Sequence, residues 1–197
     1  MIPIQDAATE MIIDPSMHWT PDGRLQLLYF GSDSDVAGDK LPDDYPNPHA
    51  IYNAFWDGTQ FVQEQQEPLL EADHVVDPSG CYHDGQHYVL GTRAYDSLYV
   101  THRGEDDPDG EYVDFLDSPW GAVQVPYCYT QGEYPAFIAQ YGGGYGPPWI
   151  RWMDKEGKLS DPEPMFDMED IGYLGCTSPV LGYYEGTYFM IASSWVE

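Results

Sequence analysis

Basic residues are scarce in this chain: 7 Lys and Arg stand against 34 Asp and Glu over 197 residues, a formal net charge of −27. A surface of that sign repels a polyphosphate, which sets nucleic acid aside as a partner. Long apolar runs are missing too. No segment approaches the roughly 20 residues that cross a bilayer as a helix, so membrane insertion is not expected. The start of the chain, MIPIQDAATEM, has no basic stretch leading into an apolar one, so no signal peptide is read there. No long segment carries apolar residues at helical period. Cysteine is sparse and odd in number: Cys81, Cys128 and Cys176, without a C-x-x-C pair. That spacing gives zinc little support, and the three are read as small buried hydrophobes.

What is present points to strands. Aromatic residues make up 15% of the chain, with 17 Tyr and 6 Trp, beside 20 Gly and 17 Pro. Such a mix favours many short strands joined by tight turns. The stretch Val75 to Thr92, VVDPSGCYHDGQHYVLGT, holds the repeating unit most plainly. An apolar start runs into Asp77-Pro78, Asp84-Gly85 turns, and Tyr88-Val89-Leu90 returns. Asp-Gly between strand-like runs predicts a hairpin, because a type I′ turn needs φ > 0 at both central residues. The unit recurs at Ile12 to Phe30 with Asp14-Pro15, at Val123 to Ile138 with Pro126, and at Cys176 to Ile191 with Pro179. Turns of an acidic residue or Gln followed by Gly fall at Gly23, Gly58, Gly85, Gly110, Gly132, Gly157 and Gly186, a period of about 25 residues.

Two such hairpins make a four-stranded unit of about 50 residues, the length of a propeller blade. The expected fold is therefore all-β, a single β-propeller domain over residues 1–197. It has about four antiparallel four-stranded blades, with five as the alternative. Blade one takes residues 12–63 and carries an acidic, Pro-containing insert at 32–48. Blade two takes 75–117, with strands at 97–101 and 111–115 after its first hairpin. Blade three takes 122–166, and 173–197 is a half blade. Residues 1–11 are expected to close the ring as a missing strand, pairing with the last blade or a neighbouring subunit. The acidic turn EDDPDG, Glu105 to Gly110, reads as a solvated tip, with a weak calcium site as the sharper alternative. No other cofactor is expected.

At these hairpins the chain resembles the five-bladed propeller glycosidases, the arabinanase and β-xylosidase group. VVDPSGCYHDGQHYVLGT resembles their repeated inner-strand motif, and CTSPVLGYYEGTYFMIASS a later blade. The resemblance implies three acidic residues projecting from inner strands of successive blades into a central pocket. One activates water, one orients and tunes, and a Glu protonates the leaving oxygen. Asp14 matches the base and Asp77 the tuning residue. The family's Glu precedes a small residue and a Pro in the third blade, and the matching string here is Gln124-Val125-Pro126. An amide cannot donate a proton to a departing alkoxide; it only hydrogen-bonds. Glu133, the nearest spare carboxylate, follows the Gln131-Gly132 turn at the opposite end of that hairpin.

The candidate ligand-binding residues are thus Asp14, Asp77 and Gln124, with Trp19, Tyr82 and Tyr127 as aromatic faces on the same strands. No catalytic or metal-ligating residue is assigned. Each has a plainer reading: Asp before Pro bonds nearby backbone N–H groups, aromatic rings pack between blades, and His18 and His83 are structural. The expected protein is a degenerate, halophilic, non-catalytic relative of the glycosidases. It binds a glycan or a glycosylated surface, works in adhesion, sits at an extracellular or virion surface, and belongs to a larger assembly, self-association included. The alternatives are an active glycoside hydrolase using Asp14 and Asp77, and a purely structural scaffold.

A charge of −27 repels itself, and molar salt shortens the Debye length to about 3 Å. Thermal melts in rising KCl are expected to show a melting temperature that climbs steeply. A melting temperature indifferent to salt refutes the halophilic reading.

Overall fold

The computed structural model describes residues 3–8, 12–31, 48–73, 75–93, 97–104, 112–114, 123–130, 133–141, 147–156, 158–167, 170, 172 and 175–195. Strands dominate them. The first sheet contains β1 (Ile4–Gln5), β2 (Ile13–Trp19), β3 (Leu25–Gly31), β4 (Pro48–Trp56), β5 (Phe61–Val62) and β6 (Leu70–Asp73). The second contains β7 (Val75–His83), β8 (Gln86–Arg93), β9 (Ser97–Gly104) and β10 (Tyr112–Asp114), and the third β11 (Val123–Tyr129), β12 (Ala136–Tyr141), β13 (Pro148–Trp152) and β14 (Glu163–Pro164). A last antiparallel pair joins β15 (Gly175–Tyr184) to β16 (Thr187–Trp195). Strand order within the second and third sheets follows chain order, the up-and-down meander of a propeller blade. The first strands touch in succession, β2 with β7, β7 with β11, β11 with β15, so they form the inner row from which the sheets fan out. The all-β propeller read from the repeat is what the chain adopts. Of the acidic insert expected at 32–48, residues 32–47 lie outside the described residues, as does the turn at 105–110, and Pro48 opens β4.

The hairpin turns follow from their residues. Asp84 and Gly85 have φ of 47° and 76°, and Glu185 and Gly186 have 47° and 82°, the paired positive values of a type I′ turn. The Pro motif has a meaning that its sequence hides. Between Ile13 and Ser16 the first strand advances three residues while its partner goes only from Phe30 to Leu28. The same mismatch separates Val76 from Ser79, Gln124 from Tyr127 and Thr177 from Val180. Every inner strand therefore carries one β-bulge at its Pro, which bends the strand and pins its register.

From the bulge outward the side chains alternate, and the two faces meet different neighbours. The second residue after each Pro looks back to the preceding sheet, and the third looks forward. Gly80 sits where an added Cβ would come within 2.7 Å of Leu28 and 3.0 Å of His18, both in the first sheet. Cys128 meets Cys81 of the second sheet. Leu181 packs on Tyr129, Ala136, Ile138 and Ile150 of the third. The core is accordingly a series of layers between sheets. Leu28, Phe30, Ile51 and Val89 join the first sheet to the second, and Tyr88, Leu90 and Phe137 join the second to the third.

Three features differ from the sequence reading. Ile4–Gln5 does not close the ring against the last sheet; it pairs in parallel with β5 at the edge of its own first sheet. There Ile4 and Ile12 cover Leu27, Tyr29, Ala54 and Phe61, and Gln63 holds the segment by accepting from the Ala8 N–H at 2.9 Å. Capping wins because β5 is only two residues long and leaves an open edge and an apolar face beside it. The first sheet also runs on past residue 63: β6 pairs with the start of β4, so the outermost strand is split in two. Finally, Cys81 and Cys128 are buried, as small hydrophobes are, but they form a disulfide between β7 and β11. Adjacent inner strands bring their Cα atoms to 5.7 Å, a separation that sequence spacing alone does not reveal.

That bond closes a loop across 47 positions, for which chain entropy gives about 4 kcal/mol. Replacing both Cys81 and Cys128 by Ala is expected to lower unfolding free energy by about that amount. Denaturant titration measures it, and a loss under about 1 kcal/mol shows that the bridge does not hold the two sheets together.

Candidate functional site

The repeated bulge places the motif residues. Asp14 and Asp77 are the residues before Pro in β2 and β7, and both adopt the left-handed region with φ of 43° and 51°. Asp tolerates that region because its short carboxylate bonds locally to backbone, so the bulge itself gives a reason for Asp. Asp14 is exposed and Asp77 half-buried. In the same register, Val125 and Ser178 are the equivalents on β11 and β15. Gln124 stands one residue earlier, level with Ile13, Val76 and Thr177, and faces Gln140 across the ladder. Its side chain lies outside the described residues. Carboxylates at the bulge thus occur on the first two inner strands only, among four.

The aromatic candidates divide by position. Tyr127 follows its Pro directly, beside the bulge, and its hydroxyl donates to the Leu181 carbonyl at 3.0 Å. Burial raises its pKa. Trp19 and Tyr82 lie five residues beyond Asp14 and Asp77, about 16 Å along an extended strand. They belong to the far end of the inner strands and do not converge with the two carboxylates on one sugar ring. Trp19 is 67% exposed, a surface free to stack on a ligand. Tyr82 is packed between the first and second sheets, where its hydroxyl donates to Gln26 Oε1 at 3.1 Å and burial pushes its pKa up to about 12.

Around Tyr82 lies a buried group that the sequence showed only in part. Its ring stacks on His87 at 4.2 Å between centroids, and His18 stands 5.4 Å from His87 and 5.7 Å from Tyr82. The His18 ring nitrogens make no hydrogen bond of normal geometry. Desolvation lowers its pKa to about 4, with the Gln26 side chain pushing the other way. The legible signal was Gly80: a missing side chain opposite His18 makes room for the ring. His83, on the outer end of β7, contacts the Glu133 carbonyl at 2.9 Å. Among the described residues no three His, Cys, Asp or Glu side chains gather as metal ligands. A pocket of about 370 Å³ lies elsewhere, at the β13–β14 connection between Trp152 and Asp161.

Comparison with known proteins gives the fold its class. No family model matches the chain, and no curated protein does. Solved structures do. An exo-1,5-α-L-arabinanase from a bovine ruminal metagenomic library superposes with a TM-score of 0.60 at 14% identity, covering 92% of this chain and 68% of that one. A β-xylosidase/α-arabinofuranosidase from a compost microbial metagenome, in complex with xylotriose, gives 0.60 at 11% identity over 96% of this chain and 76% of its own. The subtype N11 neuraminidase-like protein of A/flat-faced bat/Peru gives 0.67 at 12% identity over 97% and 49%. The chain has a glycosidase-like β-propeller fold.

The buried His18 makes a pH prediction. Its folded pKa of about 4 lies below the 6.5 of an exposed His, so the unfolded state binds the extra proton first. Stability from keeping the ring neutral is fully present above pH 6.5 and falls as pH drops towards 4, by roughly 3 kcal/mol in all. His18→Gln is expected to remove that slope between pH 6.5 and 4 in denaturant titrations; an unchanged slope places its origin elsewhere.

Proposed function

We propose that this propeller binds glycans without hydrolysing them, as an extracellular or virion-surface component of a larger assembly in a salt-rich setting. The observation that carries this reading is the register of the four bulges. Asp14 and Asp77 stand at equivalent inner positions, the next two equivalents are Val125 and Ser178, and the acid string reads Gln124-Val125-Pro126. Two carboxylates and an amide suit hydrogen bonding to sugar hydroxyls. They lack the proton donor that an alkoxide leaving group needs, worth typically about 10²–10⁴-fold in rate. The Cys81–Cys128 bridge supports an oxidising, extracellular location. Neighbouring folds of arabinanase and xylosidase type support a carbohydrate ligand. They also keep the second reading alive, a hydrolase in which Asp14 activates water and Asp77 tunes it.

One set of assays separates the readings. A glycan array in high salt is expected to reveal a bound sugar, and Asp14→Asn with Asp77→Asn to weaken it at least about tenfold, the loss of one or two charge-assisted hydrogen bonds. Aryl arabinosides and xylosides are expected to stay intact with wild type, and Gln124→Glu is the change expected to create turnover. Wild-type hydrolysis of an unactivated oligosaccharide, abolished by Asp14→Asn, establishes the enzyme instead. An empty array together with inactivity leaves the scaffold.

A further inference from the structure

One joint recurs between successive inner strands and is filled differently each time. The third residue after one motif Pro faces the second residue after the next. The pairs are His18 with Gly80, Cys81 with Cys128 and Tyr129 with Leu181. The second joint is covalent, and the third packs a ring on a Leu. The first is neither. There an imidazole sits on a glycine, where an added Cβ would come within 3.0 Å of the His18 ring. Among these residues only His18 takes up a proton in mildly acidic solution.

The surroundings of that ring do not suit a charge. From β3 it meets Gln26, from β7 Gly80 and the Tyr82 ring at 5.7 Å, and from β8 the His87 ring at 5.4 Å. Phe55 of β4 stands level with Gln26, and Arg103 of β9 lies across the ladder from His87. The charges of the nearby turn are engaged with other groups. Arg24 lies over Phe55 and pairs with Glu64, and Asp22 accepts from the Thr20 hydroxyl. Burial and the Gln26 side chain set the ionisation of His18, and no carboxylate contributes. A proton there is a charge without a counter-ion between two sheets, beside a second imidazole. Parting the sheets returns the ring to water, so the open form takes up the proton more readily.

We propose that His18 seated on Gly80 is an acid-released latch between the first and second sheets: the neutral ring holds β2 on β7, and the protonated ring lets that seam open while the Cys81–Cys128 bridge keeps β7 on β11. β2 carries Asp14 and β7 carries Asp77, so opening moves the two bulge carboxylates apart. The latch rests on the seam alone and stands or falls apart from glycan binding. Linkage gives its direction. The closed ring has a pKa of about 4, against 6.5 for an exposed His. Closure is therefore favoured in full above pH 6.5 and fades towards pH 4, where the open-to-closed ratio has risen about a hundredfold.

Hydroxyl-radical footprinting of the full chain in high salt, from pH 7 to pH 4, reads side-chain exposure at each seam. Tyr82 and Leu28 report the first seam, Leu90 and Phe137 the second. Labelling of Tyr82 and Leu28 is expected to rise several-fold as pH falls, while Leu90 and Phe137 stay protected. His18→Gln, which takes up no proton, is expected to stay closed at pH 4. Gly80→Ala, whose Cβ would come within 2.7 Å of Leu28 and 3.0 Å of His18, is expected to raise labelling of Tyr82 and Leu28 already at pH 7. Labelling unchanged down to pH 4 overturns the proposal. So does labelling that rises at both seams together, which is global unfolding. Opening of His18→Gln at the same pH as wild type places the trigger on another group and overturns it as well. Where His18→Gln does not fold, Gly80→Ala decides: a pH profile identical to wild type shows that the ring has no seat on Gly80, and the latch fails.

Discussion

Side chains on a β-strand alternate between two faces, and here one face looks back to the preceding sheet while the other looks forward. Which residue faces which way is decided by a single extra residue at each motif Pro. Slip the pairing by one and Gly80 would be turned away from His18 and Leu28, Cys128 away from Cys81, and Leu181 away from the Tyr129 layer. The bulge is thus the register pin of every inter-sheet contact. It also explains why the motif recurs with changing residues: the backbone needs an irregularity there, and Asp, Val and Ser each occupy it.

That same geometry decided what the sequence could show. Turns were legible because Asp84-Gly85 and Glu185-Gly186 must take positive φ wherever they occur. The repeat was legible because its period is a property of one chain. A bulge, by contrast, exists only relative to a partner strand, and no count along one strand reveals it. The disulfide was hidden for a related reason: Cys81 is three residues past its Pro and Cys128 two past its own, so they meet only if those positions face each other across adjacent sheets. The split outer strand of the first sheet turned on polar residues 63–67, QEQQE, which interrupt pairing between β5 and β6. The N-terminal segment had the right character for a covering strand and the wrong address, because the two-residue β5 lies closer in the chain than the last sheet does.

For the candidate site, the resemblance named residues on the inner strands, and the register then sorted them. Asp14 and Asp77 are equivalent to each other; Gln124 is not equivalent to either. Trp19 and Tyr82 share the far end of their strands, yet one is open to solvent and the other is packed beneath His87. Residue type could not separate them, since both are rings near the turn. The difference is the neighbouring sheet: Tyr82 closes against Gln26 of the first sheet, while among the described residues the back face of the first sheet is covered by Ile4 and Ile12.

Charge is distributed in the way this packing requires. The second and third strands of the complete sheets, β3, β4, β8, β9, β12 and β13, hold no Asp or Glu, and neither does β16. Among the described residues the carboxylates fall on first strands, outer strands and connections. Salt has two opposing effects on such a protein: it screens repulsion and it weakens ion pairs. Among the described residues a carboxylate pairs with Lys or Arg once, at Arg24–Glu64, and both side chains are largely exposed. A pair of that kind contributes at most about 1 kcal/mol. The net charge of −27 leaves more repulsion for salt to screen than ion pairing for it to weaken. The inter-sheet layers hold apolar side chains, the disulfide and the His18–Tyr82–His87 group, none of them a carboxylate.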